Sequence, residues 1–272
     1  MFLNWVLQIP FVMHERDTVV LESDGEPAAF GVVMRDPASV DSGLHWFGIV
    51  DPSHRGRSLG SWLLGWAHEV VAQRSDEGPF EVRSMCPAPD AAAHRLFEAA
   101  GYAVVRTSWD MGITLDGPGE PVGVPDGVRL RNFETGRDER TFWEVAESAF
   151  AGHFGWAAAP YESWSAEWYG TDDWSPDRVL LAEVDGAVVG ELAWIPSADN
   201  GYIASVGVLK EHRGKGIAQA MLRSAFADIT AMGFARATLS VDTGNETGAV
   251  ELYRRVGMTP IRESYVFQRA GA

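Results

Sequence analysis

From Ser205 to Leu222 the chain reads Ser-Val-Gly-Val-Leu-Lys-Glu-His-Arg-Gly-Lys-Gly-Ile-Ala-Gln-Ala-Met-Leu, and residues of these types in this order can hold a diphosphate. An apolar stretch suited to a strand runs into a short turn, Gly214 and Gly216 follow, and apolar residues at helical spacing begin at once. Consecutive main-chain amides with no side chain over them, at the positive end of a helix, make an anion cradle. Gly214 and Gly216 allow close approach, while Arg213 and Lys215 add positive charge. Two other phosphate loops do not fit. GxxxxGK[ST] fails because Gly216 follows Lys215 where Ser or Thr would ligate magnesium, and GxGxxG fails because no third glycine falls at the required place.

The elements that must aim this loop are written twice along the chain. GIVDPSHRGRSLGSWLL around His54 answers VGVLKEHRGKGIAQAML around His212, and RLFEAAGYAVVRTSW answers ELYRRVGMTPIRESY. Ser58 then stands where the second copy has Gly216, Phe97 where it has Tyr253, and Gly101 where it has Gly257. Upstream, SDGEPAAFGVV matches VDGAVVGELAW. Asp116–Gly127, dense in Gly and Pro with no apolar period, has the composition of a linker. The expected division is a first domain at 1–115, a linker at 116–127 and a second domain at 128–272. About fifty residues precede the strand Val179–Val184 in the second copy, against about seventeen before Thr18–Leu21 in the first. The first copy is therefore truncated at its front, or its true start lies upstream of Met1.

In the second copy the pattern predicts strands at Val128–Asn132, Val179–Val184, Ala187–Ile195, Tyr202–Val208, Ala237–Val241 and Met258–Gln268. Helices are expected at Glu139–Ala149, Tyr161–Tyr169, Gly216–Met232 and Thr247–Val256. Asp185-Gly186 predicts a tight hairpin, and Gly257 a left-handed helix stop. Each copy is thus α/β, with a mixed sheet flanked by helices.

Composition narrows the function. The 272 residues carry 38 acids against 22 bases, a formal charge of −16, and only Lys210 and Lys215 are lysines. A chain this acidic, with no basic patch, does not suit nucleic acid, whose affinity rests on neutralising phosphates. The lone cysteine, Cys86, excludes an internal disulfide framework and a multi-cysteine zinc site, and a reduced cytoplasmic setting is the default. No metal site is expected. The apolar opening MFLNWVLQIPFVM, interrupted by Asn4, Gln8 and Pro10, suits neither a signal peptide nor a membrane span, and is expected to pack as core.

The second copy resembles the GNAT superfamily of acyl-CoA-dependent N-acyltransferases. The family's Gln/Arg-x-x-Gly-x-Gly/Ala is matched by Arg213, Gly216 and Ala218, and a later block, Asn245, Ala249, Leu252-Tyr253 and Gly257-Met258, matches its Asn…Ala…Leu-Tyr…Gly-Phe/Met segment. The resemblance covers Val128–Arg269, and the two copies together resemble the tandem GNAT architecture of mycothiol synthase and its relatives. It implies two tandem GNAT-like domains, each with a mostly antiparallel central sheet, and acetyl-CoA or another acyl-CoA as cosubstrate. By the same resemblance the main chain of Val206, Gly207 and Val208 would pair with the pantetheine arm. Amides from Arg213 through Gly214, Lys215, Gly216 and Ile217 to Ala218 would hold the diphosphate, and Asn245 would touch the cofactor near its middle. Plain readings stand beside these: a core strand for Val206 and Val208, a surface ion pair for Arg213, a helix cap for Asn245.

The reaction so implied is direct acyl transfer from a thioester to an amine in a ternary complex. An alkylammonium with a pKa near 10 is only about 0.1% free base at neutral pH, so a base is needed, and the departing thiolate needs a proton. Tyr253 matches the family's general-acid tyrosine. Glu191 is a candidate base if it lies near the sheet centre, and an ordinary outward carboxylate if it does not. His153, with Trp156 beside it, lies in the segment that in this family walls the acceptor site; it is either a base or substrate anchor, or a loop histidine packed on Trp156. Ser240 and Asp242 are weaker candidates for the base. The first copy lacks the glycine, the phenol and the front helices, which points to a structural or cofactor-binding remnant without transferase activity.

Phe142–Trp174 interleaves ten aromatic residues with acids, which suits either a cationic amine pocket or a core stripe. The expected function is N-acetyl transfer to a primary amine of a small molecule, without nucleic-acid or membrane partners, by a monomer or homodimer. The alternative is a non-catalytic CoA-binding sensor or ligand-sequestering protein on the same scaffold.

Overall fold

The computed structural model describes residues 12–34, 43–74, 81–117, 123–156, 158–171, 173–245 and 247–270. The opening segment 1–11, assigned above to the core, lies outside the described residues, as do 118–122 of the linker. The chain packs as two units: one holds residues up to Ser108 together with Glu263 onward, the other Trp109–Arg262. The sequence placed the division in the Gly/Pro-rich stretch 116–127; by packing, the chain changes unit inside two strands.

The first unit contains a helical turn α1 (His14–Asp17) and strands β1 (Thr18–Ser23), β2 (Glu26–Met34) and β3 (Leu44–Val50). Helix α2 (Leu59–Ala72), strand β4 (Glu81–Pro87), helix α3 (Ala91–Ala99) and the start of β5 (Ala103–Thr114) follow. β1, β2 and β3 are antiparallel neighbours, and β3 meets β4 in parallel. β4 is completed by the far end of the chain, β11 (Thr259–Ala270), whose residues Ser264–Ala270 pair antiparallel with Pro87–Glu81. Phe267, 1% exposed, joins Trp46, Leu64, Ala67 and Phe97 in the core of this unit.

The second unit contains the end of β5, then β6 (Val128–Asn132), α4 (Glu139–Phe150), α5 (Tyr161–Tyr169), β7 (Val179–Val184) and β8 (Ala187–Ser197). β9 (Asn200–Val208), α6 (Ile217–Ala231), β10 (Arg236–Asp242), α7 (Ala249–Arg255) and the start of β11 complete it. β5 through β10 stand in the order β5-β10-β9-β8-β7-β6. The pairs from β6 to β9 are antiparallel, and β9–β10 is parallel. Every element predicted for this copy is present, with ends moved by at most two residues. Asp185 and Gly186 both take positive φ in the β7–β8 hairpin, as the turn pair predicts.

Alternation along β8 sorts the two faces. Leu192 and Trp194 join the core under α6 and α7, built on Ile217, Met221, Leu222, Ala225 and Ile229. Ala193 joins a second core under α4 and α5 with Phe142 and Trp164. Full burial of each large side chain contributes about 1.5–3 kcal/mol, so the sheet is held from both sides. Most of the aromatic stretch belongs to that second core: Phe142 is fully buried, and Trp164 stacks on Trp168 at 5.4 Å. There the core stripe is what the structure shows.

One irregularity shapes the site. β9 pairs with β8 over its whole length, but its parallel register with β10 covers only Gly201↔Ala237 and Tyr202↔Thr238. Gly201 is the close-approach point: a Cβ there would stand 2.6 Å from Ile229 of α6. Beyond Tyr202 no register with β10 continues among the described residues, and β9 bulges at Ala204, which the pairing skips between Ala193↔Ser205 and Trp194↔Ile203. An open strand edge accepts an extended guest by main-chain hydrogen bonds.

Candidate active site

The open edge of β9 leads directly into the glycine loop. Val206 is partly buried and Val208 is 7% exposed, both packed in the α6 core, so their side chains hold the strand while its backbone edge stays available. A single 3-10 turn, Lys210–His212, reverses the chain, and Arg213 is extended. Gly214 follows at φ +74° and Gly216 at φ +83°, ψ 2°. Side chains other than those of Asn, Asp and Gly rarely take this left-handed conformation. Nothing lies within 4 Å of where a Gly214 Cβ would stand, and only Pro125, at 3.5 Å, approaches that of Gly216. The first α6 bond is Ala220 N–H to the Gly216 carbonyl, and no side chain caps the helix. The amides of Ile217 and Ala218 thus have no intrahelical acceptor, as at any helix start, and the positive end of α6 adds to them. An open concavity of this kind fits a diphosphate.

Among the described residues Arg213 makes no ion pair. Its Nε donates to the Val208 carbonyl at 2.9 Å and its NH2 to the Ala149 carbonyl at 2.8 Å, tying the loop to the end of β9 and to the last turn of α4. A cation on a helix C-terminus is also favoured by the dipole. Lys215 is exposed. Asn245 Oδ1 accepts from Thr247 N–H at 2.9 Å, a local turn ahead of α7, whose N-cap is Gly248, so its side-chain oxygen already has a partner.

Glu191 points inward. It is 0% exposed, and the Ser205 hydroxyl donates to its Oε1 at 2.8 Å while Oε2 has no hydrogen-bond partner. Its place depends on the register opposite: Glu191 faces Gly207, where a Cβ would stand 2.6 Å from Oε1 and 2.8 Å from Ala149 Cβ. Burial pushes the Glu191 pKa up to about 8, opposed by the Ser205 hydrogen bond. Tyr253, 7% exposed on α7, is pushed above the usual phenol range by burial, then by the Glu191 and Tyr202 charges, which places phenol and carboxyl in one electrostatic neighbourhood.

Phe150 links this centre to the loop after α4. Its ring edge lies 3.5 Å from the position of a Gly207 Cβ; it stacks on Trp156 at 5.1 Å and meets His153 edge-on at 5.2 Å. His153 and Trp156 both pack their rings on Phe150, and the Trp156 amide donates to the His153 carbonyl at 3.1 Å. The His153 Nε2 is buried without a partner, and burial, then Arg213, push its pKa down while Asp242 opposes. The imidazole is therefore neutral at neutral pH. Glu147 lies one turn before Phe150; burial pushes its carboxyl pKa up, and its Oε1 is buried with no partner among the described residues. Sequence reasoning did not single out Glu147 or Ser205. Ser205, two residues from Gly207, shares its face by strand alternation, and that was the available signal.

The first copy keeps the backbone of the cradle but not its chemistry. Gly56 has φ +76°, and Ser58 takes φ +62° at the start of α2. The parallel β3–β4 register stops after Leu44↔Val82 and His45↔Arg83, a splay like that of β9 and β10. Phe97, in the Tyr253 position, is stacked on Phe267 at 4.8 Å and offers no proton.

Comparison with known proteins agrees with this geometry. Residues 142–258 match the acetyltransferase (GNAT) family, and residues 14–104 match an acetyltransferase (GNAT) domain. The chain is 32% identical over 262 residues to a mycothiol acetyltransferase of Thermobispora bispora, covering 90% of this chain and 81% of that one. It is 31% identical to the mycothiol acetyltransferase of Thermomonospora curvata, over 88% of this chain and 78% of that one. Among solved structures, a GCN5-related N-acetyltransferase from Sphaerobacter thermophilus superposes with a TM-score of 0.80 at 34% identity, covering 94% and 81% of the two chains. A tandem GNAT protein from the clavulanic acid biosynthesis pathway shares the fold at a TM-score of 0.71 and 16% identity, over 94% and 84%. Among the described residues no helix is long and apolar enough to cross a membrane. With both copies matched and the relatives aligned across their length, the chain belongs to the GNAT family, as a tandem member that carries an acetyl group from acetyl-CoA to an amine.

Proposed function

We propose that the second copy performs the transfer, with Glu191 as general base and Tyr253 as general acid. The observation that carries this reading is the fully buried Glu191 carboxyl, one oxygen held by Ser205 and the other without a partner among the described residues, registered opposite Gly207 on the strand whose other edge is open. Acetyl-CoA supplies an activated acetyl group; the residues supply its placement and the protons. Main chain at Val206, Gly207 and Val208 adds the pantetheine arm as an extra strand, and amides from Arg213 to Ala218 clasp the diphosphate. Asn245, its Oδ1 already engaged, would meet the cofactor through its amide nitrogen. Glu191 Oε2 takes the ammonium proton through a bridging water, since the carboxyl is sealed from solvent. Tyr253, neutral because it is buried, gives its proton to the leaving sulfur and regains one after product release.

The acceptor is a primary amine on a small polar molecule. His153 and Glu147 each hold a buried polar atom with no partner among the described residues, and such atoms in a folded protein mark a place for water or ligand. With Trp156, they are the side chains proposed to meet it. The name shared by the curated relatives makes a mycothiol-related amine the first acceptor to test, within the cytoplasm that a single buried thiol suits. A thiol-release assay over a panel of small amines at pH 8.5 should show turnover with at least one. Tight acetyl-CoA binding with no turnover on any amine would favour a CoA-sensing protein instead.

A further inference from the structure

We infer that Ser205 is a positioning residue for the transfer: its hydroxyl, 2.8 Å from Glu191 Oε1, fixes the carboxyl so that Oε2 alone is presented for the amine proton. This rests on the reading of Glu191 as the base and deepens it. A carboxyl with no solvent contact has two equivalent oxygens and, without a partner, no reason to turn either one toward the substrate. Ser205 breaks that equivalence. It is itself 7% exposed, held on β9 two residues before Gly207, on the face that Glu191 shares. Gly207 supports the arrangement from the other side, because any Cβ there would occupy the space of Oε1.

The hydroxyl also acts on ionisation, since a hydrogen bond donated to a carboxylate favours the charged form that a base must reach. Few other groups act on Glu191. α4 presents Ala149 and Phe150, which do not titrate; α7 presents Tyr253, whose phenol is neutral below its raised pKa; β9 presents Ser205 and Gly207. One layer out lie the Arg213 guanidinium, bound to the Ala149 carbonyl, and the His153 ring, edge-on to Phe150. Among the described residues only Ser205 hydrogen-bonds the carboxyl.

The test is the pH profile of kcat/KM for the full chain with acetyl-CoA and its best amine, in wild type, S205A, S205T and E191Q. Each variant is checked for folding by thermal unfolding and for acetyl-CoA binding by calorimetry. S205A should move the acidic limb up by about one pH unit, cutting the rate below the limb about tenfold. S205T keeps a hydroxyl and should return the limb to its wild-type position. Infrared titration of the free enzyme gives a reading independent of turnover: the protonated-carboxyl band absent in E191Q should titrate at higher pH in S205A. An acidic limb and band that stay in place in S205A, while E191Q abolishes both, would overturn the role of Ser205 and leave Glu191 standing. A limb that persists in E191Q would overturn the base assignment and this inference with it.

Discussion

At the scale of single residues, the proposed centre consists of two groups whose burial favours their neutral forms. Glu191 and Tyr253 are both desolvated, and in the proposed reaction each changes charge during a turnover. Tyr253→Phe removes the acid and nothing else from the packing, so kcat should fall by about a hundredfold or more while calorimetry shows unchanged acetyl-CoA affinity. Burial of Glu191 also costs stability in a defined window. Its pKa rises from an ordinary 4.5 to about 8 on folding, so between those values the folded chain keeps a proton that the unfolded chain releases. Stability is full below the lower value and declines as pH rises toward the upper one. Thermal unfolding from pH 5 to pH 8.5 should show a falling Tm in wild type and a flatter curve in Glu191→Gln. Equal slopes would mean that the carboxyl is not buried as described.

At the scale of elements, the proposal that the second copy works rests on the loop and the splayed strands. Gly216→Glu would put a Cβ and a carboxylate into the anion cradle at a left-handed position, and calorimetry should find acetyl-CoA binding to the second copy lost. Ser58→Glu, the matching change in the first copy, should leave turnover within a few-fold. If Ser58→Glu proved the more damaging, the assignment of the active copy would be reversed. Ser58→Gly should raise stability by up to about 1 kcal/mol, because glycine takes φ +62° without the cost of a Cβ. Much of this level was legible in the sequence. Glycines at fixed offsets, helical apolar spacing and a turn pair are local signals, and local signals placed the glycine turn, α6 and the β7–β8 hairpin. The inward turn of Glu191 was not legible, because it depends on the β8–β9 register, and a slip of one residue would reverse the face. The tether of Arg213 to Ala149 was hidden for a similar reason, joining residues 64 positions apart.

At the scale of the whole chain, the repeat suggested two halves joined by a linker, and packing divides it differently. The first unit takes residues from Glu263 onward, and its β4 is paired along Glu81–Pro87 only because Ser264–Ala270 are there. No local pattern announces a pairing between positions almost two hundred residues apart. Phe267→Ala should therefore destabilise the first unit by about 3–5 kcal/mol, the usual cost of deleting a buried phenyl ring, although it lies in the sequence of the second copy. Hydrogen exchange should find the loss at β4, α2 and α3. Loss confined to α6 and β7 would show that the strand belongs elsewhere.

This borrowed strand has a consequence for how the protein is made. Ordinary tandem proteins can finish their leading domain on the ribosome while the rest is still being translated. Here the leading unit cannot close its sheet until codons beyond 263 have been read. A nascent chain stalled near residue 200 would carry an incomplete hydrophobic layer around Trp46 and Phe97, exposed for chaperones or for aggregation, until its last strand arrives.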